Sequence, residues 1–496
     1  MTSTPPAPRP GRTLTSPGPN AALAVGLLAL LAVLLRLPFL GARPGRDEAG
    51  YLMVGAGWSD GDQLYGRYWV DRPPLLVWIY EAAGDLTTLR LLGCVAAAAV
   101  VVLVGAAAHV AAGPRAAAWA AGAAALLTAQ PWLGTVRVNG EILAAPFAAG
   151  AVLATVLVVR RGGRWWLAAL AGALATLAVA VKQSTVDAAV FVVVALATLA
   201  WRGRRPRREL VVVAAGVTGG VVLTLAVLLA LAAARGAGPT ALFDAVVWFR
   251  VEAGETIRTS ASDATGERLV VLVATWLVSG LSVLTVATLV LGARRRDPVV
   301  LGVAAALLAA TSVALFGGSY WAHYLIALVP TAALGAGLAA VAVPQAWRRA
   351  AAGALVLATC VTVVHAVVAP DRDGLEAQVV GRALESVAHA GDTAVVAYGQ
   401  PNVLLSAGME SPYPYLWSLP VRALDPDLDQ LADTLEGADA PTWLVDWSGF
   451  DDWGVDATRL EAVVERRYRP VGSVCGRELW LDRRVDRAAP DAKACR

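Results

Sequence analysis

The feature that most constrains this chain is a series of long apolar runs that recurs from residue 21 to residue 369. A helix of roughly 20 apolar residues crosses the ~30 Å of hydrocarbon in a bilayer. The chain is 57% hydrophobic and only 16% charged, whereas a soluble domain is about 25% charged. The sequence therefore predicts an all-α polytopic membrane protein. We place about eleven transmembrane helices, at residues 21–40, 88–112, 116–130, 141–159, 165–182, 184–201, 210–234, 269–292, 298–316, 320–343 and 351–369.

Arginine clusters indicate the orientation of these spans, because lysine and arginine are retained in cytoplasmic connections. The clusters lie in every second connection, at Arg9 and Arg12, Arg115, Arg160, Arg161 and Arg164, residues 202–208, Arg294–Arg296, and Arg348 and Arg349. Residues 1–19 are then a disordered cytoplasmic tail, and no cleavage site follows the first apolar run. Eleven crossings leave everything after residue 369 outside the cell membrane. The scattered basic residues form no continuous basic face, so the sequence predicts no nucleic-acid partner.

Residues 370–496 differ from the rest because they are polar and mixed in character. β-like runs at 393–398, 442–447 and 474–481 alternate with helix-like stretches such as 456–466. The pattern predicts a small extracytoplasmic α/β domain. No dinucleotide fingerprint or P-loop is present. Cys475 and Cys495 lie in this part, and their spacing leaves open whether they form a disulfide.

Ionisable and aromatic residues near the span ends collect on the predicted outer side. They are Asp47, Glu48, Asp71, Arg72, Arg137, Glu141, Lys182, Gln183, Tyr320, His323 and Tyr324. A charge costs about 2.5–3.5 kcal/mol at the centre of a bilayer, so such residues usually face a polar cavity or a partner. We therefore expect one shared cavity at the outer ends of the helices.

The first outer loop, residues 41–87, is too long and too apolar for a simple connector. Its stretches 51–58 and 75–80 are predicted to be interfacial helices. Asp47 and Glu48 precede the first stretch, and Asp71 and Arg72 precede the second, where two prolines follow. A helix N-terminus at this point favours an anion.

These motifs resemble those of the GT-C glycosyltransferases that use polyprenyl-phosphate sugars, such as protein O-mannosyltransferases and aminoarabinose transferases. The resemblance rests on residues 45–51 and 68–76, with further support from 139–141, 181–183 and His323-Tyr324. It covers roughly residues 20 to 345, and it predicts a GT-C-like catalytic domain over 20–369.

The resemblance implies that the chain moves a sugar from a polyprenyl-phosphate donor to an extracytoplasmic acceptor. The acceptor is a cell-envelope glycan, a lipid or a protein, and membrane lipids surround the enzyme. Asp47 matches the general base of an inverting reaction, with Glu48 beside it and Asp71 as a second acid. Arg72 stands where the family usually has a phosphate-binding lysine, and arginine offers a bidentate fork instead of a point charge.

The remaining candidates have both a functional and a structural interpretation. Cations stabilise the departing phosphate, and polar or aromatic side chains beside them can also contact the donor. The candidates for donor contacts are Arg72, Lys182, Gln183, Arg137, His323 and Tyr324. Snorkelling of Lys182 and an aromatic belt around His323 explain those residues equally well. Glu141 and Tyr320 are expected either to contact the acceptor or to be structural. No cofactor is required by a motif, but a divalent cation such as Mg²⁺ or Mn²⁺ at Asp47 and Glu48 remains open.

Two other functions fit the same pattern of spans. A lipid-linked sugar flippase or transporter would line its path with charged residues, usually on broken helices and in repeated halves. A glycan polymerase or ligase would share the substrates but keep its large loop later in the chain. Here the large loops follow the first and the last span. The loop at 248–268 is predicted to be a mobile flap over the site.

Overall fold

The computed structural model describes residues 19–162, 164–203, 205–259, 263–369, 371–491 and 495. Residues 1–18 of the predicted cytoplasmic tail lie outside the described residues. Helices dominate the described part, and they are α1 (Pro19–Leu34), α2 (Arg46–Ser59), α3 (Pro74–Ala83), α4 (Leu86–Ala112), α5 (Pro114–Leu127), α6 (Gly140–Arg161), α7 (Trp165–Val181), α8 (Asp187–Trp201), α9 (Arg207–Ala234), α10 (Pro239–Phe243), α11 (Phe249–Thr259), α12 (Asp263–Val278), α13 (Leu281–Arg294), α14 (Pro298–Phe316), α15 (Val329–Ala340), α16 (Gln345–Val368), α17 (Arg372–Glu385), α18 (Pro401–Ala407), α19 (Ser418–Leu424), α20 (Asp429–Glu436) and α21 (Thr458–Arg467).

Seven helices of the described part are long and apolar enough to cross a membrane. They contain α1, α4, α6, α9, α14, α15 and α16, and the pair α12–α13 gives an eighth span if the two helices cross together. The other three predicted spans coincide with shorter helices, because α5, α7 and α8 have 14, 17 and 15 residues. A multi-pass helical membrane protein is confirmed, while the number eleven stays a prediction.

The predicted eighth span, 269–292, is broken in the structure. The axes of α12 and α13 differ by 65°, and Gly280 between them has a φ of +83°. That left-handed conformation suits glycine, which has no Cβ to clash. A continuous apolar pattern did not reveal the bend. The predicted tenth span also begins irregularly, with a 3₁₀ helix at Ala322–Leu328 before α15.

The outer surface of the helical part is apolar, as lipid contact requires. Only 17% of the spanning window of α9 is buried inside the structure, and its Val211, Val222 and Leu223 are exposed. The buried positions are mostly small: Gly216 and Gly220 of α9 lie against the backbone of α7. Small residues at such contacts let membrane helices approach closely.

The C-terminal domain contains a four-stranded sheet of β1 (Ala394–Ala397), β2 (Trp443–Asp446), β3 (Tyr468–Val474) and β4 (Arg477–Asp482). The order is β1-β2-β4-β3, with β1 and β2 parallel and the other pairs antiparallel. This confirms the predicted small sheet. The predicted third strand was wrong in its limits, since residues 474–481 cover the turn of the β3–β4 hairpin. Pro470 and a register shift there hide β3 from a search for alternating residues.

The first outer loop and the C-terminal domain pack against each other. Helix α2 is buried along most of its length, and α18 of the C-terminal domain packs on it. An ion pair between Arg46 and Asp373 joins the two parts. A second ion pair, between Arg137 and Asp371, joins the connection before α6 to the C-terminal domain. Helix α2 is thus enclosed by protein on the side that faces the C-terminal domain.

Candidate functional site

The candidate site begins with an acidic side chain held between two arginines. Asp71 contacts Arg72 through Oδ1, with 2.6 Å to Nη1, and Arg250 through Oδ2. The side chains of Asp71 and Arg72 are only 13% and 11% exposed. Gln183 donates from Nε2 to the Asp71 carbonyl oxygen at 2.7 Å. The three charged groups and Gln183 thus meet at one point, although they come from separate parts of the sequence.

The local sequence explains how this cluster is presented. Pro73 and Pro74 fix the backbone at the start of α3, and Asp71 and Arg72 lie in a bend just before this helix N-terminus. Burial raises the pKa of Asp71, but Arg250 and Arg72 outweigh this effect and lower it below its ordinary value. Asp71 is therefore a carboxylate at neutral pH.

Arg72 is a buried cation of the first outer loop. Burial lowers the pKa of its guanidinium, but Asp71, Tyr51 and Asp47 together raise it well above the ordinary value. Its guanidinium carbon lies 5.8 Å from the centre of the Tyr51 ring. In the part of the chain that the structure describes, the buried Nε groups of Arg72 and Arg250 have no hydrogen-bond partner. Each arginine therefore has a donor to spare.

Lys182 and Glu141 form a second buried pair beside this cluster. Lys182 Nζ lies 3.1 Å from Glu141 Oε1, and the side chains are 5% and 1% exposed. Lys182 Nζ is also 5.5 Å from the centre of the Tyr324 ring. Gly140 makes room for the lysine, because a Cβ at that position would lie 3.0 Å from Lys182 Cδ. Such a buried pair must be complete to be tolerated.

Asp47 is placed differently from its neighbour Glu48. Asp47 lies in the first turn of α2 and is half-buried. Its Oδ1 accepts a hydrogen bond of 3.1 Å from the indole nitrogen of Trp417, a residue of the C-terminal domain. Asp47 is close enough to Arg72 for its charge to act on that guanidinium.

Glu48 points into the protein and is fully engaged there. Its Oε2 accepts from Arg90 Nη2 at 2.8 Å and from the Gly45 amide at 3.0 Å. Its Oε1 accepts from Arg90 Nε at 3.1 Å and from the Val138 amide at 2.9 Å. Glu48 and Arg90 are 1% and 2% exposed. This geometry gives Glu48 the task of fixing the start of α2.

Three of the other predicted residues form an aromatic group or bind the C-terminal domain. His323 packs against Tyr324 with ring centres 5.0 Å apart, and Tyr320 adopts a φ of +53° just before them. Arg137 instead pairs with Asp371 at the start of the C-terminal domain. Among the predicted donor-binding residues, Arg137 is therefore the one whose ion pair joins the membrane part to the C-terminal domain.

No group of three or more His, Cys, Asp or Glu is placed to hold a metal ion among the described residues. The two acids considered for a cation, Asp47 and Glu48, also do not fit one. Both oxygens of Glu48 accept hydrogen bonds from Arg90 and from backbone amides. One oxygen of Asp47, Oδ1, accepts a hydrogen bond from the indole of Trp417. We therefore assign no step to a metal.

Sequence reasoning missed three residues of this region. Arg250 lies in the predicted flap, and Trp417 lies in the domain to which no role was given. Arg90 was hidden inside a predicted span. A weak signal existed for Arg250, because arginines on a predicted outer loop depart from the positive-inside pattern. Arg235, Arg258 and Arg268 lie on the same loop, so the pattern did not single out Arg250. No sequence signal pairs Trp417 with Asp47, which are 370 positions apart.

The sequence matches no family profile and no curated protein. Its fold is nevertheless similar to solved structures. ArnT from Cupriavidus metallidurans, bound to undecaprenyl phosphate, has a TM-score of 0.61 at 16% identity, over 92% of this chain and 97% of that chain. The oligosaccharyltransferase of Archaeoglobus fulgidus in its apo form gives 0.54 at 14% identity, over 86% and 69%. The same organism's AglB, in complex with an inhibitory peptide and a dolichol-phosphate, gives 0.53 at 14% identity, over the same shares.

These structures are ArnT and an archaeal oligosaccharyltransferase, and each has been solved with a polyprenyl phosphate, undecaprenyl phosphate in the first and a dolichol-phosphate in the second. The predicted resemblance is therefore confirmed at the level of the fold. It extends into the C-terminal domain, because 92% of this chain is covered. At these identities the similarity defines the fold class, and the chemistry must be argued from the site itself.

Proposed function

We propose that this protein is an integral membrane glycosyltransferase that moves a sugar from a polyprenyl-phosphate donor to an extracytoplasmic acceptor. The observation that carries the proposal is the pair of guanidiniums on the buried Asp71, from Arg72 and Arg250. Each has a buried Nε without a partner among the described residues, and the charge of Asp47 acts on Arg72. Similarity in fold to ArnT, solved with undecaprenyl phosphate, supports the donor class. The acceptor is a cell-envelope glycan, a lipid or a protein.

The cations suit the leaving group of this reaction. Cleavage of the bond between the anomeric carbon and the phosphate oxygen places a further negative charge on the phosphate. Arg72 and Arg250 offer planar forks for phosphate oxygens, which bind such anions bidentately. Lys182 adds a point charge nearby. Fixed cations of this kind stabilise a transition state without having to reorganise.

Asp47 suits the other half of the reaction. Its carboxylate accepts the proton of the acceptor hydroxyl while the hydroxyl oxygen attacks the anomeric carbon. One C–O bond forms, the C–O bond to the phosphate breaks on the opposite face, and the configuration inverts. General-base assistance contributes typically 10²–10⁴-fold. Polyprenyl phosphate and the new glycoside are the products.

The remaining residues have supporting tasks in this proposal. Glu48 holds the start of α2 through Arg90, so Asp47 has a fixed position. Gln183 holds the backbone of Asp71. Glu141 pairs with Lys182 and holds it in place. Tyr324 lies beside Lys182, and His323 packs on Tyr324. With Tyr320 close by in the sequence, these rings would form an aromatic wall that favours the sugar and the first isoprene units of the donor.

The predicted orientation places this site on the outer face of the membrane. A disulfide joins Cys475 and Cys495 in the C-terminal domain, and such bonds persist in oxidising compartments. The bond supports an extracytoplasmic C-terminal domain. The cytoplasmic side would then hold the arginine clusters, such as Arg160, which pairs with Asp297.

The flippase alternative has one point in its favour, the broken helix α12–α13. In transporters, however, a broken helix carries the substrate-binding groups. Residues 275–285 around this break contain no ionisable side chain. The carbonyl oxygen of Ser279 already accepts a hydrogen bond from the side chain of Gln130. The charged cluster lies elsewhere, at the first outer loop, which favours the transferase. The position of that loop after the first span also disfavours the polymerase or ligase.

The predicted flap includes α11, which supplies Arg250 to the cluster. We propose that this segment closes over the donor. A polyprenyl-phosphate sugar analogue should then protect residues 248–259 from protease. Equal cleavage with and without the analogue would rule out the flap.

The function is tested by transfer of radiolabelled sugar from a panel of polyprenyl-phosphate sugars in membranes that carry the protein. The expected result is labelling of one class of envelope acceptor by one donor, and no labelling in membranes without the protein. Movement of labelled lipid between leaflets with no labelled acceptor would overturn the transferase and favour the flippase.

A further inference from the structure

The C-terminal domain places an aromatic side chain directly on the proposed base. Trp417 lies just before α19, and its indole nitrogen donates to Asp47 Oδ1 at 3.1 Å. The indole ring also packs on Tyr51, with ring centres 5.0 Å apart. Asp47, Gly50 and Tyr51 lie at positions i, i+3 and i+4 of α2, which is one face of that helix. Trp417 covers this face.

The fit between the indole and α2 is close. A Cβ at Gly50 would lie 2.3 Å from Trp417 Cζ2, so the indole occupies the space that any other residue at position 50 would fill. An aromatic residue that served only as surface cover would not need such a close approach. The contact therefore fixes the ring in one orientation, with its N–H toward Asp47.

The segment before Trp417 is bound to the first outer loop by two hydrogen bonds, one between backbone groups and one from a backbone amide to a tyrosine hydroxyl. The Trp69 amide donates to the Pro414 carbonyl at 3.0 Å, and the Ser411 amide donates to Tyr68 Oη at 3.0 Å. Trp69 and Tyr415 form a parallel bridge. Residues 411–417 are thus an arm of the C-terminal domain that docks on the first outer loop.

We infer that Trp417 is a positioning residue, through which the docked C-terminal domain orients Asp47 for proton abstraction. This inference rests on the proposed function of Asp47. The indole N–H donates and does not accept, so it takes no proton from the acceptor. Its bond occupies Oδ1 of the carboxylate and directs Oδ2 toward the acceptor hydroxyl. The membrane part thus has an oriented base only while the C-terminal domain is docked.

The test compares transfer by wild type, Trp417→Phe and a matched control, Trp480→Phe. Phenylalanine keeps an aromatic ring but removes the N–H donor. The control also loses an indole N–H in the C-terminal domain, but the Nε1 of Trp480 has no hydrogen-bond partner among the described residues. Loss of a hydrogen bond to a charged group corresponds to roughly a ten- to hundredfold effect. We expect kcat of Trp417→Phe to fall by about that factor with little change in the KM of the donor, and Trp480→Phe to match wild type.

A double variant distinguishes positioning from general damage to the fold. If Trp417 acts through Asp47, Trp417→Phe should cost nothing further in an Asp47→Asn background, because coupled residues are not additive. An unchanged kcat in Trp417→Phe would overturn the inference. So would an equal loss with and without Asp47.

An indole measurement keeps the inference separate from the proposed function. In protein labelled with [¹⁵N]tryptophan, the Trp417 indole resonance, assigned by its loss in Trp417→Phe, should move on Asp47→Asn. A resonance that stays in place would overturn the inference whatever the activity. If wild type transfers no sugar from any donor, the proposed function fails, and the indole resonance alone decides whether Trp417 holds Asp47.

Discussion

The neighbouring acids Asp47 and Glu48 are expected to fail in opposite ways when each is replaced. Glu48 accepts four hydrogen bonds and is 1% exposed. Glu48→Ala leaves the Arg90 guanidinium, 2% exposed, without its counter-charge. Breaking a buried ion pair in this way costs about 3–5 kcal/mol. We therefore expect a large loss of stability in Glu48→Ala, whereas Asp47→Asn should lose activity and keep its stability.

The assay is thermal unfolding of the purified protein in detergent, combined with sugar transfer by the fraction that remains folded. Asp373→Ala is the control for loss of an ion pair. Asp373 pairs with Arg46, the two side chains are 76% and 38% exposed respectively, and exposed pairs contribute about 0–1 kcal/mol. Folded Glu48→Ala should still transfer sugar at a measurable rate. Wild-type stability of Glu48→Ala together with complete loss of transfer would refute this reasoning and make Glu48 a catalytic residue.

Three further predictions concern other parts of the same account. Gly50→Ala should lower kcat as Trp417→Phe does, since the added Cβ would lie 2.3 Å from the Trp417 ring; wild-type kcat in steady-state transfer would contradict this. Arg250→Ala should raise the KM of the donor at least about tenfold, because one fork for phosphate is lost; donor titrations with an unchanged KM would count against it. In the C-terminal domain burial raises the pKa of Asp392, but Arg487 outweighs this and lowers it, so its stabilisation is present above the ordinary pKa of 3.8 and is lost as pH falls through the lowered value. Asp392→Asn should thus lower the melting temperature at pH 6, and its difference from wild type should shrink as pH falls below 3.8. A difference that does not change with pH in that range would refute the assignment.

Much of the fold was open to prediction because apolar length is a direct physical signal. A run such as 298–316 must be helical in hydrocarbon, since its backbone groups have no water to bind. The bend at Gly280 was not predicted, because a single glycine within an apolar run does not indicate whether its backbone adopts the left-handed conformation. The hairpin of β3 and β4 was misplaced because Pro470 interrupts its alternating pattern.

The site was predicted in part, for a related reason. Charges near span ends are costly, so Asp71, Arg72 and Lys182 stood out one by one. Their partners did not stand out. Arg250 lies 179 positions from Asp71, and the sequence offers no rule that joins them. Residues brought in by tertiary packing, including the indole over α2, required the structure.

The most direct test of the central claim is steady-state transfer by purified wild type and Asp47→Asn, with donor binding measured on the same preparations. We predict that Asp47→Asn binds the donor with unchanged affinity, because Arg72 and Arg250 are intact, and that its kcat falls by about 10²–10⁴-fold. An Asp47→Asn protein that turns over like wild type would contradict the assignment of Asp47 as the base.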